Sequence, residues 1–156
     1  MAFQKRLKKE YEEMTKRAPD GIVLADGTMQ DEVDLWRIHI TGADGTLYEG
    51  EHFTLQFKFS SKYPFDSPQT HTRTQVTFCG DQIPVHPHIY SNGHICLSIL
   101  DKDWSPAMNV MSVCLSIQSM LSSCTKKVRP PDDTIYVRFA TKNPKRTRWV
   151  FHDDKV

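Results

Sequence analysis

Three histidines and a cysteine crowd one stretch, VHPHIYSNGHICLSILDKDWSPA at residues 85–107, which shows neither helical nor strand periodicity. His86, His88, His94 and Cys96 offer nitrogen and thiol groups at short spacing, and three kinds of chemistry fit them. The first is a zinc site, because imidazole and thiolate donors can close a tetrahedron. Against it, Pro87 splays the first two histidines, and neither a Cys-x-x-Cys pair nor a helical His pair accompanies them. The second is structural, with imidazoles bonded to loop backbone and a cysteine that fills space. The third is a nucleophilic cysteine, which asks for a partly exposed thiol on a shaped loop with hydrogen-bond donors nearby. Asn92-Gly93 supplies a turn just before Cys96. The residues by themselves leave all three open.

The loop must be positioned by something, since a long connection inside a compact domain has to find partners for its own backbone. Upstream, Phe3, Leu7, Tyr11 and Met14 recur at helical spacing beside Lys5, Arg6, Lys8, Lys9, Lys16 and Arg17, which predicts an amphipathic helix with a basic outer face. Pro19, Asp20 and Gly21 end it. The period then becomes two: Trp36, Ile38 and Ile40 alternate with polar residues, as do Phe53, Leu55, Phe57 and Phe59, so each run predicts a half-buried strand. Gln75 to Phe78 can form another. Downstream, Val110, Val113, Cys114, Ile117 and Leu121 predict a second helix capped by Asn109. After Pro130 and Pro131 no period is sustained, and Tyr136, Trp149 and Phe151 stand among basic residues.

At 156 residues, with 20 Lys+Arg against 19 Asp+Glu, the chain has room for one domain and too little net charge to make nucleic acid its default partner. The charged amino terminus has no apolar run, so a secretory signal and a membrane span are not expected. An intracellular location, cytoplasmic and nuclear, follows as the expectation, and the four cysteines read as thiols.

HPHIYSNGHICLSIL followed by DWSPAMNVMSVCLSIQSML resembles the active-site region of ubiquitin-conjugating enzymes, whose pattern is HPN, NGxICLDIL, WSPA and a helix. LYEGEHFTLQFKFSSKYPFDSP resembles that family's YEGGxFxLxxxFPxxYPFxPP unit. The resemblance covers residues 1 to about 124. It implies an α+β ubiquitin-conjugating (UBC-like) fold: an amino-terminal helix, a four-stranded antiparallel meander and a central helix beside the loop. Residues 1–130 would form the core domain and 131–156 an atypical, flexible carboxy-terminal segment, departing from the family's usual pair of helices. It also implies that Cys96 accepts ubiquitin, or a related modifier, as a thioester from an activating enzyme and yields it to an amine. ATP is spent upstream, so no cofactor or metal is expected. Cys79, Cys114 and Cys124 match no catalytic position. Non-catalytic members of the same fold lack the acceptor cysteine, which sets that alternative, like the zinc-binding module, behind the enzyme.

The departures carry the finer expectation. His88 stands where the family has Asn, and could donate to an oxyanion or brace the loop; Ser98 stands where it often has Asp. At about pH 7.4 an α-amine of pKa ~7.8 is roughly a quarter free base and a lysine of pKa ~10.4 only ~0.1%, so a site poor in proton acceptors disfavours lysine. Asp132 and Asp133 are candidates to replace the missing acid. HPH, RPPD and the tail ending in FHDD resemble the W-type branch, which implies addition of a single ubiquitin to flexible substrate amino termini. By position, Arg6, Lys9, Phe65, Pro106 and Ala107 match the family's docking surface for activating enzymes and RING or U-box ligases. A solvated helix face and a buried turn phenylalanine are the bland readings of the same residues. The QTHTRTQ insert predicts a polar hairpin tip beside that surface. The tail's aromatic-basic mix suits substrate backbone or weak self-association ahead of nucleic acid.

Overall fold

The computed structural model describes residues 2–30, 32–65 and 75–140. Helix α1 (Ala2–Arg17) leads into a four-stranded antiparallel meander, β1 (Ile22–Leu24), β2 (Leu35–Thr41), β3 (His52–Lys58) and β4 (Gln75–Cys79), in the order β1-β2-β3-β4. A long loop with one 3-10 turn (Ser98–Leu100) follows, then α2 (Val110–Ser122) and α3 (Asp133–Phe139). The α+β UBC-like fold expected from the sequence is the fold observed. No helix among the described residues is long and apolar enough to cross a membrane.

Alternation decides which face of the sheet is covered. Ile38 pairs with Leu55 and Leu55 with Phe78, while Trp36 pairs with Phe57 and Phe57 with Val76, so the apolar side chains of three strands fall into rows on one face. Leu7 and Met14 of α1 and Val113, Cys114, Ile117 and Leu121 of α2 join the same buried cluster. β1 was not legible as alternation because it has only three residues, and Phe59, expected in β3, lies one residue beyond it while remaining buried.

Two features tie the helices to the loop region. Asn109 caps α2 reciprocally with Ser112, side chain to backbone N–H at 2.8 Å in both directions. Glu10, on the buried face of α1 and 4% exposed, accepts from the Val110 N–H at 2.8 Å, the Tyr63 hydroxyl at 2.9 Å and the Arg6 Nε at 3.1 Å. Burial pushes its carboxyl up from the usual range, and those hydrogen bonds partly pull it back. The QTHTRTQ insert, Gln75 excepted, lies outside the described residues, as do Pro144, Trp149, Phe151 and the rest of the tail beyond 140.

Candidate active site

The loop carrying Cys96 satisfies its backbone largely by folding on itself and on β4. The Phe78 N–H donates to the Gly93 carbonyl and the Gly93 N–H to that of Tyr90, both at 2.9 Å. Gly93 has φ +90°, and a Cβ there would lie 2.0 Å from the Phe78 carbonyl oxygen, so the turn predicted from Asn92-Gly93 needs glycine. Arg129 crosses the start of the loop and donates to the carbonyls of Pro84 at 2.6 Å, Ile89 at 3.2 Å and Ile83 at 3.2 Å. Nothing in the local pattern around Arg129 marks it as a clamp.

The histidines do not converge. His86 donates from Nε2 to the Met120 carbonyl at 3.1 Å and accepts the His88 N–H on Nδ1 at 2.9 Å, which sets its tautomer. His88, 2% exposed, is bound to Cys96 twice: the Cys96 N–H donates to the His88 carbonyl at 2.8 Å, and His88 Nδ1 donates to the Cys96 carbonyl at 3.1 Å. His94 Nδ1 shares a 2.7 Å hydrogen bond with the Tyr136 hydroxyl on α3. Among the described residues no group of three or more His, Cys, Asp or Glu side chains could hold a metal ion. Burial pushes the pKa values of His86 and His94 down to about 4, so both rings are neutral near pH 7.

Cys96 is less accessible than the sequence implied. A partly exposed thiol was expected; the residue is 3% exposed and packs with Tyr90 and Tyr136, bordered by Val137 and Ala140. The cause is α3. Tyr136 stacks on Tyr90 with ring centroids 3.6 Å apart, the Tyr90 hydroxyl donates to both Asp132 oxygens at 3.1 and 3.2 Å, and the Ser91 N–H donates to Asp133 Oδ1 at 2.7 Å. Burial first, and the Asp132 charge second, push the Tyr90 hydroxyl up, so it stays a donor. Asp132 and Asp133 thus hold α3 to the loop. The helix itself was missed. Tyr136, Val137 and Ala140 share one helical face, but three positions are too few to mark a helix in the sequence.

The other thiols sit apart from this arrangement. Cys114 is fully buried in the core, where burial pushes its thiol up; Cys124 accepts the Tyr48 hydroxyl at 3.3 Å; Cys79 lies at the end of β4.

Away from the thiol, α1, the turn before the insert and the WSPA segment meet. Phe65 is 80% exposed, which removes the reading of a buried turn residue. Lys9, Pro106 and Ala107 are exposed as well. Arg6 donates to the carbonyls of Met108 at 3.0 Å and Pro106 at 3.4 Å, and Trp104 Nε1 donates to the Pro64 carbonyl at 2.8 Å. Arg6 is therefore a brace within this surface as much as a charge upon it.

Residues 6–151 match the family model described as ubiquitin-conjugating enzyme. The chain belongs to that family. It is 57% identical over 153 residues to the probable ubiquitin-conjugating enzyme E2 W-A of Danio rerio, covering 98% of this chain and 97% of that one. It is 54% identical over 155 residues to the ubiquitin-conjugating enzyme E2 W of Caenorhabditis elegans, covering 99% and 98%. Among solved structures, the ubiquitin-conjugating enzyme E2 UbcA1 from Agrocybe aegerita superposes with a TM-score of 0.82 at 44% identity, over 92% of this chain and 98% of that one. The W-type resemblance read from HPH and RPPD thus extends over nearly the whole enzyme.

Proposed function

We propose that this ubiquitin-conjugating enzyme accepts ubiquitin on Cys96 and delivers it, one at a time, to the α-amino group of substrate proteins. The Cys96 sulfur attacks the thioester carbonyl on an activating enzyme; a new S–C bond forms and the donor thiol leaves with the proton. An amine then attacks the Cys96 thioester, an amide forms, and the Cys96 thiol is released. ATP is consumed upstream, and no metal or cofactor enters either step.

The observation that carries this reading is the pair of hydrogen bonds between His88 and Cys96, one backbone to backbone and one from the His88 ring to the Cys96 carbonyl. It fixes the acceptor residue's main chain and supports the bracing reading of His88 over the oxyanion-donor reading, because a neutral ring whose proton is on Nδ1 has no second N–H to give. The preference for an α-amine rests on acid-base chemistry. Ser98 is no proton acceptor, the Asp132 and Asp133 carboxylates are engaged by Tyr90 and Ser91, and a lysine needs such help more than an α-amine by a factor of a few hundred, ~10.4 against ~7.8 in pKa. Arg6, Lys9, Phe65, Pro106 and Ala107 would form the docking surface for the activating enzyme and for RING or U-box ligases.

Incubation with activating enzyme, ATP and ubiquitin, read on a non-reducing gel, tests the first half. A thiol-sensitive adduct is expected, absent in Cys96→Ala and replaced by a thiol-resistant ester in Cys96→Ser; an adduct that persists in Cys96→Ala refutes the assignment. A substrate with an acetylated amino terminus and free lysines tests the second half. Undiminished modification of that substrate removes the α-amine preference.

A further inference from the structure

The sulfur that must meet a polypeptide carboxyl end is buried, in a small cluster to which one short helix contributes. We propose that α3 is a lid over Cys96, latched by Tyr136, and that it leaves the loop whenever an acyl group is carried on that sulfur. This deepens the thioester reading and rests on it.

Three observations carry the inference. The thiol is 3% exposed and shares one small buried cluster with Tyr90 of the loop and Tyr136 of α3, against which Val137 and Ala140 also pack. An acyl group bonded to Sγ adds atoms to this cluster, and a packed cluster takes up added atoms only by displacing a neighbour.

Second, α3 is built to come away. Of its seven residues only Tyr136 is buried, Ile135 and Phe139 are 68% and 74% exposed, and no residue of α3 belongs to the main core cluster. Its holds on the loop include the Tyr136 stack on Tyr90, the Tyr136 bond to His94 and the carboxylate bonds of Asp132 and Asp133. A helix of this length has no stability of its own, so releasing those holds melts or swings it without opening the sheet. Segments with few buried apolar contacts are the ones that open locally.

Third, the opening has a fixed edge. Arg129, held by three loop carbonyls, precedes the lid immediately, and Pro130 is buried. The chain stays pinned there while the residues after it move. Tyr136 is in these terms a positioning residue that controls access and is not a reacting group.

The test uses the full chain and iodoacetamide, with peptide-level mass spectrometry to follow Cys96 and Cys114 separately. Cys114 is the internal reference, since it lies in the core and is 0% exposed. Tyr136→Ala should raise the alkylation rate of Cys96 relative to Cys114 by about tenfold or more, as expected for a lost local closure. Tyr136→Phe, which keeps the ring stack and loses the bond to His94, should fall between. An unchanged ratio overturns the proposal, and so does a rise shared equally by Cys114, because the helix would then be part of the core. As a second measurement, amide hydrogen exchange of Asp133–Phe139 should lose its protection when ubiquitin is carried as an ester on Cys96→Ser. Retained protection in that charged form overturns the lid. The alkylation measurement needs neither ubiquitin nor activating enzyme, so its failure is distinct from a failure of the thioester to form.

Discussion

The two working regions of this enzyme are organised in opposite ways. Where α1 meets the Tyr63–Phe65 turn and the WSPA segment, the polar network is inside: Glu10 is buried and satisfied by Val110, Tyr63 and Arg6, while Phe65, Pro106 and Ala107 face outward. At the reactive end the network is on the outside. Asp132, Asp133 and Tyr90 tie down a surface helix, and Cys96, the proposed acceptor, is buried in the small cluster that Tyr136 of this helix joins. The proposed docking surface is thus presented ready-made, whereas the proposed acceptor thiol is buried and would be reached only after a local opening. A buried, fully bonded carboxylate rigidifies what surrounds it, and a short helix held by a few edge contacts does not.

Breaking the frame common to both regions should have the largest effect. Gly93→Ala puts a Cβ 2.0 Å from the Phe78 carbonyl oxygen at φ +90°, so the loop must separate from β4 or the chain must strain. A loss of about 3 kcal/mol or more in urea unfolding is expected from combined strain and lost pairing, with loss of Cys96 charging. Wild-type stability in this variant would mean that the loop is not anchored there.

The contrast itself is tested by removing one carboxylate from each end. Glu10→Ala leaves the Tyr63 hydroxyl and the Val110 N–H buried without an acceptor, and a loss of about 3 kcal/mol is expected. Asp133→Ala frees a backbone N–H that water can reach, and about 1 kcal/mol or less is expected. Equal losses in urea titrations of the two variants would erase the distinction between a rigid end and an opening end.

The histidines sharpen the same contrast through pH. His86 and His94 are both pushed down to about 4 by burial, against ~6.5 in an unfolded chain. Below ~6.5 the unfolded state takes up protons that the folded state refuses, so stability falls as pH falls from about 6.5 towards 4, by up to about 1.4 kcal/mol per pH unit for each ring. Glu10, whose pKa is raised by burial, acts with the opposite sign. His94 lies under the lid and His86 in the core. Tyr136→Ala should therefore return the His94 titration, followed by NMR, towards ~6.5 and leave His86 depressed. Parallel movement of both rings would argue against separate opening.

The legibility of these regions in the sequence follows from the same physics. Strands β2 and β3 and helix α2 were readable because burial on one face writes a period of two or 3.6 into the apolar residues. The Asn109 cap was readable from its residue type, as was the glycine turn. Glu10 was hidden because a charged residue in an apolar stripe looks like solvated surface until its three donors, from Arg6, Tyr63 and Val110, are brought to it by the fold. The burial of Cys96 was hidden for a similar reason: Tyr90 and Tyr136 are 46 positions apart in number and meet only once Arg129 has turned the chain back over the loop. α3, at seven residues, is about two turns long and leaves too short a trace after the prolines for a helical period to stand out.

The smallest effect on stability should come from the most exposed residue of the presented surface. Phe65 is 80% exposed and contributes little to the packing of the turn, so Phe65→Ala should shift the urea midpoint by no more than about 0.5 kcal/mol equivalent. If the turn is a docking site, the same variant should keep its iodoacetamide reactivity at Cys96 while ligase-stimulated transfer of ubiquitin falls about tenfold or more, as truncation of an aromatic anchor at an interface does. Stability and thiol access would then be unmoved while partner-dependent transfer is lost, a separation that a residue serving only the fold does not produce. Equal transfer rates for Phe65→Ala and the parent enzyme, measured at sub-saturating ligase, would remove this turn from the docking surface.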